Sequence, residues 1–326
     1  MKPAIAVLGS LNMDFVVSAE RLPRPGETVL GENFQMLPGG KGANQACAAA
    51  KLAHPSMAVR MAGRVGYDLF ADHLKASLCA AGVDVSFVHA TRSQPTGVAL
   101  ISVDRSGQNS IVVAPGANHA LAASEIESFR AVYRNAAIAL FQLETPVDAV
   151  GAALRLARSE GAKTMLDPAP ARPLPKEMLA AVDFLTPNEV EACLLLNRPV
   201  GPVGMEDAPQ LATALLALGS KAVVLKLGEK GCYYTNGTVS LAVPGFRVDA
   251  VDTTAAGDTF NGALAVALAE GQNIEQALRF ANAAGALSVT RPGAQASAPS
   301  RQEVEQLLST GTVARSSNEA AQRGTP

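Results

Sequence analysis

Residues 251–262 read Val-Asp-Thr-Thr-Ala-Ala-Gly-Asp-Thr-Phe-Asn-Gly, and the apolar run Ala263 to Ala269 follows directly. Only small residues lie between Thr254 and Gly257, which favours a turn whose backbone N–H groups can approach a ligand closely. The second half of the stretch and the apolar run predict a helix with Asp258 in its first turn. A helix start presents unpaired N–H groups and a partial positive charge, so this segment is a candidate anion site.

The acid in the first turn can be interpreted in two ways. A carboxylate there would repel a phosphate, so it does not suit simple anion binding. It does suit a site in which the carboxylate takes a proton from a nucleophile while the amides hold the charge that develops opposite it. An ordinary capped helix with Asp258 in its first turn is an equally good interpretation of these twelve residues alone. The rest of the chain has to decide between the two.

The composition is that of a large, weakly charged protein. The chain has 326 residues, of which 48% are hydrophobic and 17% charged, and this length allows one or two domains. With a formal net charge of −2 and no tryptophan, the chain is not suited to bind nucleic acid or an anionic membrane.

Cysteine usage and the N-terminus indicate the compartment. Four cysteines and four histidines are scattered along the chain, which favours free thiols in a reducing compartment and indicates no zinc site. The first apolar run, Ala4 to Leu8, is too short for the core of a signal peptide. We therefore expect a soluble, cytoplasmic protein.

Strands and helices alternate along most of the chain. The first predicted strand, Ala4 to Gly9, is continuously apolar, as expected for a strand buried on both faces. Among the predicted helices is Ala122 to Arg134. The rhythm predicts an α/β fold over residues 1–310, with a doubly wound, mostly parallel, Rossmann-like sheet flanked by helices. Residues 311–326 are polar and are expected to form a disordered tail.

Two pairs of short segments interrupt this rhythm. Phe15 to Ala19 and Asn33 to Leu37 flank a Pro/Gly-rich turn, and Thr96 to Asp104 pairs in the same way with Asn109 to Ala114. Their alternating pattern suits a sheet with one solvated face. We predict a small β-sheet lid formed by segments 14–39 and 95–115.

Polar residues follow most of the predicted parallel strands. In open parallel sheets, ligands bind beyond the carboxyl ends of the strands, so these residues are site candidates, although each alone is more often a cap or turn residue. They are Asn12, Asp14, Glu144, Asp167, Asn188 and Gly228.

Three loops carry further candidates. Gly39 to Asn44 precedes a helix and lacks the Walker pattern, so it is either a glycine-rich helix cap or a place where Lys41 and Asn44 bind hydroxyl groups. Leu227 to Gly231 is either a plain turn or a flexible loop along nucleotide phosphates. Glu191 is either an ordinary acidic residue near a helix start or a ligand of magnesium through water.

These segments together resemble the ribokinase family, the PfkB-type sugar kinases, from about Ala4 to Leu308. The resemblance is carried by the motifs Gly9 to Asp14, Gly39 to Ala46, Pro115 to Asn118, Gln142 to Glu144, Asp167 to Ala171, Thr186 to Glu189 and Asp252 to Gly262. The Gly39 and Asp252 motifs, in this order and at this separation, are highly specific. The resemblance implies the same Rossmann-like sheet with a β lid that pairs with the lid of a second subunit.

The resemblance also implies roles for individual residues. Asp258 would be the base, and the amides of Ala255, Ala256, Gly257 and Asp258 would form the anion hole. The sugar-binding positions are Asn12, Asp14, Gly40, Lys41, Gly42, Asn44, Glu144 and Asp258. The ATP-binding positions are Asn188, Lys226, Gly228, Glu229, Lys230, Gly231, Gly257 and Asn282, the last of which is a histidine in some members. The ligands of an activating monovalent cation, K⁺, are Asp252, Thr254, Ser288, Arg291, Gly293 and Ser297, and Mg²⁺ accompanies ATP with Glu191 acting through water.

The leading hypothesis is therefore ATP-dependent phosphorylation of a neutral pentose, D-ribose, at its 5-hydroxyl by a homodimer. A related kinase acting on deoxyribose, adenosine, inosine or fructose is the alternative within the family. A catalytically silent sugar-binding protein is an alternative of another class. An NAD-dependent oxidoreductase is disfavoured because no G-x-G-x-x-G motif follows the first strand.

Overall fold

A computed structural model describes residues 3–311, which form two β-sheets and ten α-helices. The large sheet has nine strands in the order β13-β12-β11-β10-β9-β8-β1-β4-β5. Its strands are β1 (Ala4–Leu8), β4 (Ala58–Gly66), β5 (Val83–Thr91), β8 (Ala136–Phe141), β9 (Lys163–Leu166), β10 (Phe184–Leu185), β11 (Val223–Lys226), β12 (Gly231–Thr235) and β13 (Ser240–Pro244). All pairings from β5 to β11 are parallel, and the β11-β12-β13 edge is antiparallel.

The helices cover both faces of this sheet. They are α1 (Lys41–Leu52), α2 (Leu69–Ala80), α3 (Arg130–Tyr133), α4 (Val147–Ser159), α5 (Lys176–Leu179), α6 (Glu189–Leu195), α7 (Ala208–Leu216), α8 (Ala256–Ala269), α9 (Ile274–Ser288) and α10 (Arg301–Thr310). Helices α1, α2, α8, α9 and α10 contribute to one apolar core, and α3 to α7 to the other. Strand β1 serves both cores, with Ile5 and Val7 on one face and Ala6 and Leu8 on the other. The predicted doubly wound α/β fold is confirmed.

The smaller sheet has four strands, β2 (Asn12–Ala19), β3 (Gly31–Gly39), β6 (Gly97–Val103) and β7 (Asn109–Ala114), in the order β3-β2-β6-β7. The outer pairings are antiparallel and the central β2-β6 pairing is parallel. The strands fall within the two segments expected for the lid, except that β2 begins at Asn12.

Two features differ from the expectations. Strand β5 has no predicted counterpart, because it is an edge strand in which Asp84, Ser86 and His89 interrupt the apolar pattern. The predicted helix Ala122 to Arg134 is instead a 3₁₀ segment, Ala123–Phe129, that leads into the single turn of α3. The tail expected over 311–326 lies outside the described residues beyond Gly311. None of the helices within residues 3–311 is long and apolar enough to cross a membrane.

Helices α1 and α8 approach each other closely at Gly262. A Cβ atom at this position would lie 2.8 Å from the carbonyl oxygen of Gln45 and 2.9 Å from the Cβ of Ala48. Both helices are buried on this side, so neither has free space to move into. The absence of a side chain at Gly262 therefore sets the distance between the helix that carries Asn44 and Gln45 and the helix that carries Asp258.

We expect Gly262→Ala to destabilise the fold by about 1–3 kcal/mol, the usual cost of overpacking a core, because the added methyl group would push α1 away from α8. Thermal unfolding measures the effect. Gly285→Ala in α9 is the matched control, because the nearest atom to its added Cβ would lie at 3.6 Å. Equal Tm values for the two variants would contradict the account of α1–α8 packing.

Candidate active site

The candidate residues gather at the carboxyl edge of the large sheet, where the strand order reverses between β1 and β8. The chain leaves β1 at Gly9, β8 at Gln142 and β9 at Asp167, all at this edge. Such a reversal leaves a crevice between the loops that run in opposite directions. Helices α1 and α8 begin above this crevice.

Asp258 lies in the first turn of α8 and is buried, with 4% of its surface exposed. Ala255, the residue before the helix, has a positive φ of 58°. The first hydrogen bond of the helical ladder runs from the N–H of Thr259 to the carbonyl of Ala255 at 2.9 Å. The amides of Gly257 and Asp258 therefore precede this ladder and face the same end of the helix. Of the other two amides in the predicted anion hole, that of Ala256 donates to the carbonyl of Thr253 at 3.3 Å.

Two amide side chains of α1 hold the Asp258 carboxylate. Asn44 Nδ2 donates to Oδ2 and Gln45 Nε2 donates to Oδ1, each at 3.0 Å. Asn44 Oδ1 is buried and has no hydrogen-bond partner among the described residues. A buried acceptor without a partner is costly, so a hydroxyl group placed beside Asp258 would find both a proton acceptor and a second hydrogen-bond partner.

The pKa of Asp258 is raised from its ordinary value. Burial is the largest cause and the carboxylate of Asp167 adds to it, whereas Lys41 and the two amides act in the opposite direction. A raised pKa makes a carboxylate a stronger proton acceptor, which suits a general base. The surroundings of Asp258 are polar, so its burial is compatible with catalysis.

The other predicted sugar-binding residues surround Asp258. Burial, together with the nearby carboxylates of Glu144 and Asp258, raises the pKa of Asp14 to about 7. Burial alone lowers the pKa of the Lys41 ammonium group, but the surrounding carboxylates, Asp258 and Asp167 foremost, outweigh that effect and raise the pKa. Lys41 is thus a fixed positive charge among acids.

The backbone around Lys41 depends on two glycines. Gly40 has a φ of 90° and a Cβ there would lie 2.7 Å from the backbone nitrogen of Asn12. A Cβ at Gly42 would lie 2.7 Å from the backbone of Gly9. This close approach lets the N–H of Lys41 donate to Glu144 at 3.2 Å, and Ser10 Oγ donates to the same carboxylate oxygen at 2.5 Å.

The predicted nucleotide loop lies next to this pocket. Lys226 ends β11, and its Nζ lies 3.2 Å from the position that a Cβ at Gly257 would occupy. Gly228 and Gly231 both have positive φ, and Glu229 is exposed. Lys230 donates to the carbonyl of Val203 at 2.7 Å. Of the side chains in this loop, Lys226 is the one placed beside the anion hole.

The two predicted asparagines of the nucleotide site have structural contacts. Asn188 caps α6 and forms a reciprocal capping box with Glu191, in which the Asn188 N–H donates to Glu191 at 2.8 Å. Asn282 lies in α9 and donates to the carbonyls of Val243 and Pro244 at 3.1 and 3.2 Å. These contacts hold both asparagines in place, and their assignment to ATP stays a prediction.

The predicted cation ligands come together from two loops. The carboxylate of Asp252 accepts hydrogen bonds from the N–H groups of Thr254 at 2.9 Å and Gly293 at 2.8 Å. Arg291 is paired with Glu303 at 2.8 Å, so only its carbonyl is available as a ligand. Ser288 and Ser297 are buried beside this junction. An oxygen-only set of carbonyls and one carboxylate suits an alkali cation.

Glu191, the predicted magnesium-binding residue, is buried at the start of α6. Burial is the largest cause of its raised pKa, which the nearby Lys226 counteracts. Each of its carboxylate oxygens accepts one hydrogen bond from Asn188, at 2.8 and 3.0 Å. Each oxygen keeps a lone pair, which fits contact with a magnesium-bound water.

Three residues that contact the candidate site residues are missing from the sequence-based site, and a fourth, Asp167, is a candidate there only as a polar residue after a strand, with no role assigned to it. Gln45 contacts Asp258, and Gln142 Nε2 donates to Gln45 Oε1 at 2.6 Å. Asn118 donates to Asn12 Oδ1 at 2.7 Å and so orients it. Asp167 pairs with Lys226 at 3.0 Å. All four lie in the motifs that carry the family resemblance, but nothing in the sequence shows what they contact.

The comparison with protein families decides the chain's identity at the family level. The model of the pfkB family carbohydrate kinases matches residues 2–301. The chain belongs to this family of carbohydrate kinases. Its ATP-dependent sugar kinase chemistry accounts for a buried acid beside free helix amides.

Individual relatives of this pfkB family kinase cover most of its length. A ribokinase from Haemophilus influenzae is 40% identical over 94% of this chain and 99% of its own. A deoxyribokinase from Salmonella typhi is 35% identical over 94% of this chain and 98% of its own. A structure of the Arabidopsis thaliana ribokinase, complexed with ribose and ATP, is 37% identical with a TM-score of 0.86, covering 94% of this chain and 99% of that one.

We expect Asp258→Ala to lower kcat by roughly 10²–10⁴-fold, the usual contribution of a general base, while sugar binding measured by calorimetry is largely kept. The wild-type kcat should fall as the pH drops through the raised pKa of Asp258, because only the ionised carboxylate accepts a proton. Near-normal turnover of the variant would refute the assignment of Asp258 as the base.

Proposed function

We propose that this pfkB family kinase transfers the γ-phosphoryl group of ATP to the 5-hydroxyl of D-ribose, which yields D-ribose 5-phosphate and ADP. The observation that carries the proposal is the Asp258 carboxylate, held by Asn44 and Gln45 in front of the amides of α8. The ribokinase from Haemophilus influenzae and the ribose and ATP in the Arabidopsis structure support ribose as the acceptor.

In this reaction Asp258 accepts the proton of the sugar hydroxyl. The hydroxyl oxygen forms a bond to the γ-phosphorus, and the bond between that phosphorus and the β–γ bridging oxygen breaks, so that ADP leaves with the bond's electron pair. The amides of Gly257 and Asp258 stabilise the charge on the transferring group, which provides most of the rate enhancement in phosphoryl transfer.

The pocket fits a neutral polyol. Carboxylate and amide groups of Asp14, Glu144 and Asn44 are suited to accept hydrogen bonds from hydroxyls, and Asn12 and Lys41 supply donors. Asn12 with Asp14 favours a substrate with vicinal hydroxyls. Lys41 is the only cation in the predicted sugar-binding set, which disfavours a sugar phosphate as the substrate.

We assign two ions to the reaction. Mg²⁺ would bind with ATP and contact Glu191 through water, and it neutralises phosphate charge when bound. A monovalent cation, K⁺, would bind between the Asp252 and Gly293 loops. Asp252 lies only six residues before Asp258. A cation that fixes the conformation of this loop would therefore also fix the amides of the anion hole.

The smaller sheet is proposed to act as a lid and as the contact between two subunits. Met36 and Leu100 lie on either side of Phe15 on one of its faces, and Val112 lies next to Leu100. Met36, Leu100 and Val112 are 48%, 55% and 63% exposed. Phe34, also exposed, stacks on Phe15 in the same face. An apolar row of this kind would be covered by the same sheet of a second subunit. A closed lid would exclude water and so protect ATP from hydrolysis.

The free cysteines support a location in the cytoplasm. Among the described residues all four cysteines are free, although Cys79 is exposed. Thiols persist in a reducing compartment, where ATP is also abundant. We therefore infer a cytoplasmic enzyme.

The decisive experiment is a panel of pentoses, deoxyribose, hexoses and nucleosides with ATP, read by ADP release and by analysis of the sugar product. We expect the highest kcat/KM with D-ribose and a phosphate on its 5-oxygen. A higher kcat/KM with deoxyribose or a nucleoside would show that this compound, and not ribose, is the preferred substrate. No ADP release with any sugar would favour a silent sugar-binding protein. The same panel without K⁺, with Na⁺ at equal ionic strength, should show a lower kcat.

We expect the wild-type chain to sediment as a dimer and Leu100→Glu to shift it to the monomer, since a charge in the apolar row would lose its solvation at the interface. Val200→Glu is the matched control, because Val200 is an exposed apolar residue outside the smaller sheet. A monomeric wild-type chain at tens of micromolar would argue against the subunit contact.

A further inference from the structure

Asp167 links the nucleotide loop to the proposed catalytic base. Its Oδ1 accepts a hydrogen bond from Lys226 Nζ at 3.0 Å, and its Oδ2 accepts one from Gln45 Nε2, also at 3.0 Å. Gln45 Nε2 donates its second hydrogen to Asp258 Oδ1 at 3.0 Å. The chain of contacts therefore runs from Lys226 through Asp167 and Gln45 to Asp258.

The orientation of Gln45 in this chain is fixed. An amide group has two N–H donors and one oxygen acceptor. Both donors of Gln45 are used by carboxylates, and the oxygen accepts from Gln142 at 2.6 Å. A flipped amide would place its oxygen against the carboxylates of Asp167 and Asp258, so the network has one arrangement.

Lys226 brings the network of hydrogen bonds to the predicted anion hole. Its ammonium group lies beside Gly257, 3.2 Å from where a Cβ would be, and so stands next to an amide of the predicted anion hole. The Lys226 and Asp167 side chains are 11% and 4% exposed. A buried ion pair adds little to stability compared with apolar residues of the same size, so stability alone does not account for this pair.

We propose that Asp167 is a positioning residue for phosphoryl transfer, which holds the Lys226 ammonium group against the anion hole and orients the Gln45 amide that fixes Asp258. The inference rests on the proposed kinase function and assigns Lys226 to the transferring phosphoryl group. In this role Asp167 acts through its contacts with Lys226 and Gln45. It sets the distance between the Asp258 carboxylate, which takes the proton, and the Lys226 ammonium group, which faces the charge of the transferring phosphoryl group.

The chain contains a second ion pair that serves as an internal control. Asp183 Oδ1 pairs with Lys221 Nζ at 2.6 Å, and Asp183 Oδ2 accepts from the N–H of Thr164 at 2.9 Å. This pair joins the same three neighbouring strands, β9 to β11, but at their amino ends. A purely structural role for Asp167 would resemble that of Asp183.

The test compares Asp167→Asn, Lys226→Met, the double variant and Asp183→Asn in the full-length enzyme. We expect Asp167→Asn to lower kcat by about 10–100-fold, as for side chains that orient metal ligands. Lys226→Met should lower kcat to a similar degree with the KM for sugar largely kept. The double variant should be no slower than the slower single variant, because both act through one network.

The pH profile separates positioning from structure. The charged groups that face Asp258 are Lys41, Asp14 and Asp167. Loss of the negative charge of Asp167 lowers the pKa of Asp258, so the acid limb of kcat should move to lower pH in Asp167→Asn. Asp183→Asn should lower Tm but leave kcat and its acid limb unchanged.

Three results would overturn the proposal: a normal kcat in Lys226→Met, an unshifted acid limb in a folded Asp167→Asn, or additive losses in the double variant. If Asp167→Asn fails to fold, the Lys226→Met measurement decides alone. The variants are compared on whichever sugar the wild-type enzyme phosphorylates fastest. A failure of ribose as the substrate is thereby distinguished from a failure of the positioning role.

Discussion

The contact between the Asp258 carboxylate and the two amides of α1 is the interaction on which the site depends. A buried carboxylate is costly unless hydrogen bonds compensate it. Asn44 and Gln45 supply that compensation from one helix, while the free amides of α8 stay available for an incoming anion. The acid and the anion site can therefore share one helix start, although a carboxylate and a phosphate repel each other.

The fold serves this contact through helix packing. Both helices lie on the same face of the large sheet, and Gly262 allows α8 to approach Gln45 and Ala48 to van der Waals distance. The reversal of strand order beside β1 leaves the crevice into which the two helix starts open. The sheet topology therefore determines where the site lies, and Gly262 determines how closely α8 packs against α1.

Charge balance is the second constraint. Asp14, Glu144, Asp167, Glu191 and Asp258 gather around two buried or partly buried cations, Lys41 and Lys226. Burial, together with the neighbouring carboxylates, raises the pKa of Asp14 to about 7 and also raises that of Asp258. In a pocket so arranged, each carboxylate changes the proton affinity of its neighbours, and substitution of one acid alters the ionisation of the others.

The sequence alone was enough to predict the fold class, the family and most of the candidate site residues. The alternation of strands and helices predicted the doubly wound sheet, and the motifs, those at Gly39 and Asp252 foremost, predicted the family and most of the candidate site residues, because buried strands and glycine turns leave local patterns. The edge strand β5 and the 3₁₀ segment before α3 escaped prediction, since their form depends on neighbours distant in the chain. The tertiary structure alone decided what Gln45, Asn118, Gln142 and Asp167 contact, because hydrogen bonds between residues about a hundred or more positions apart leave no trace in local sequence.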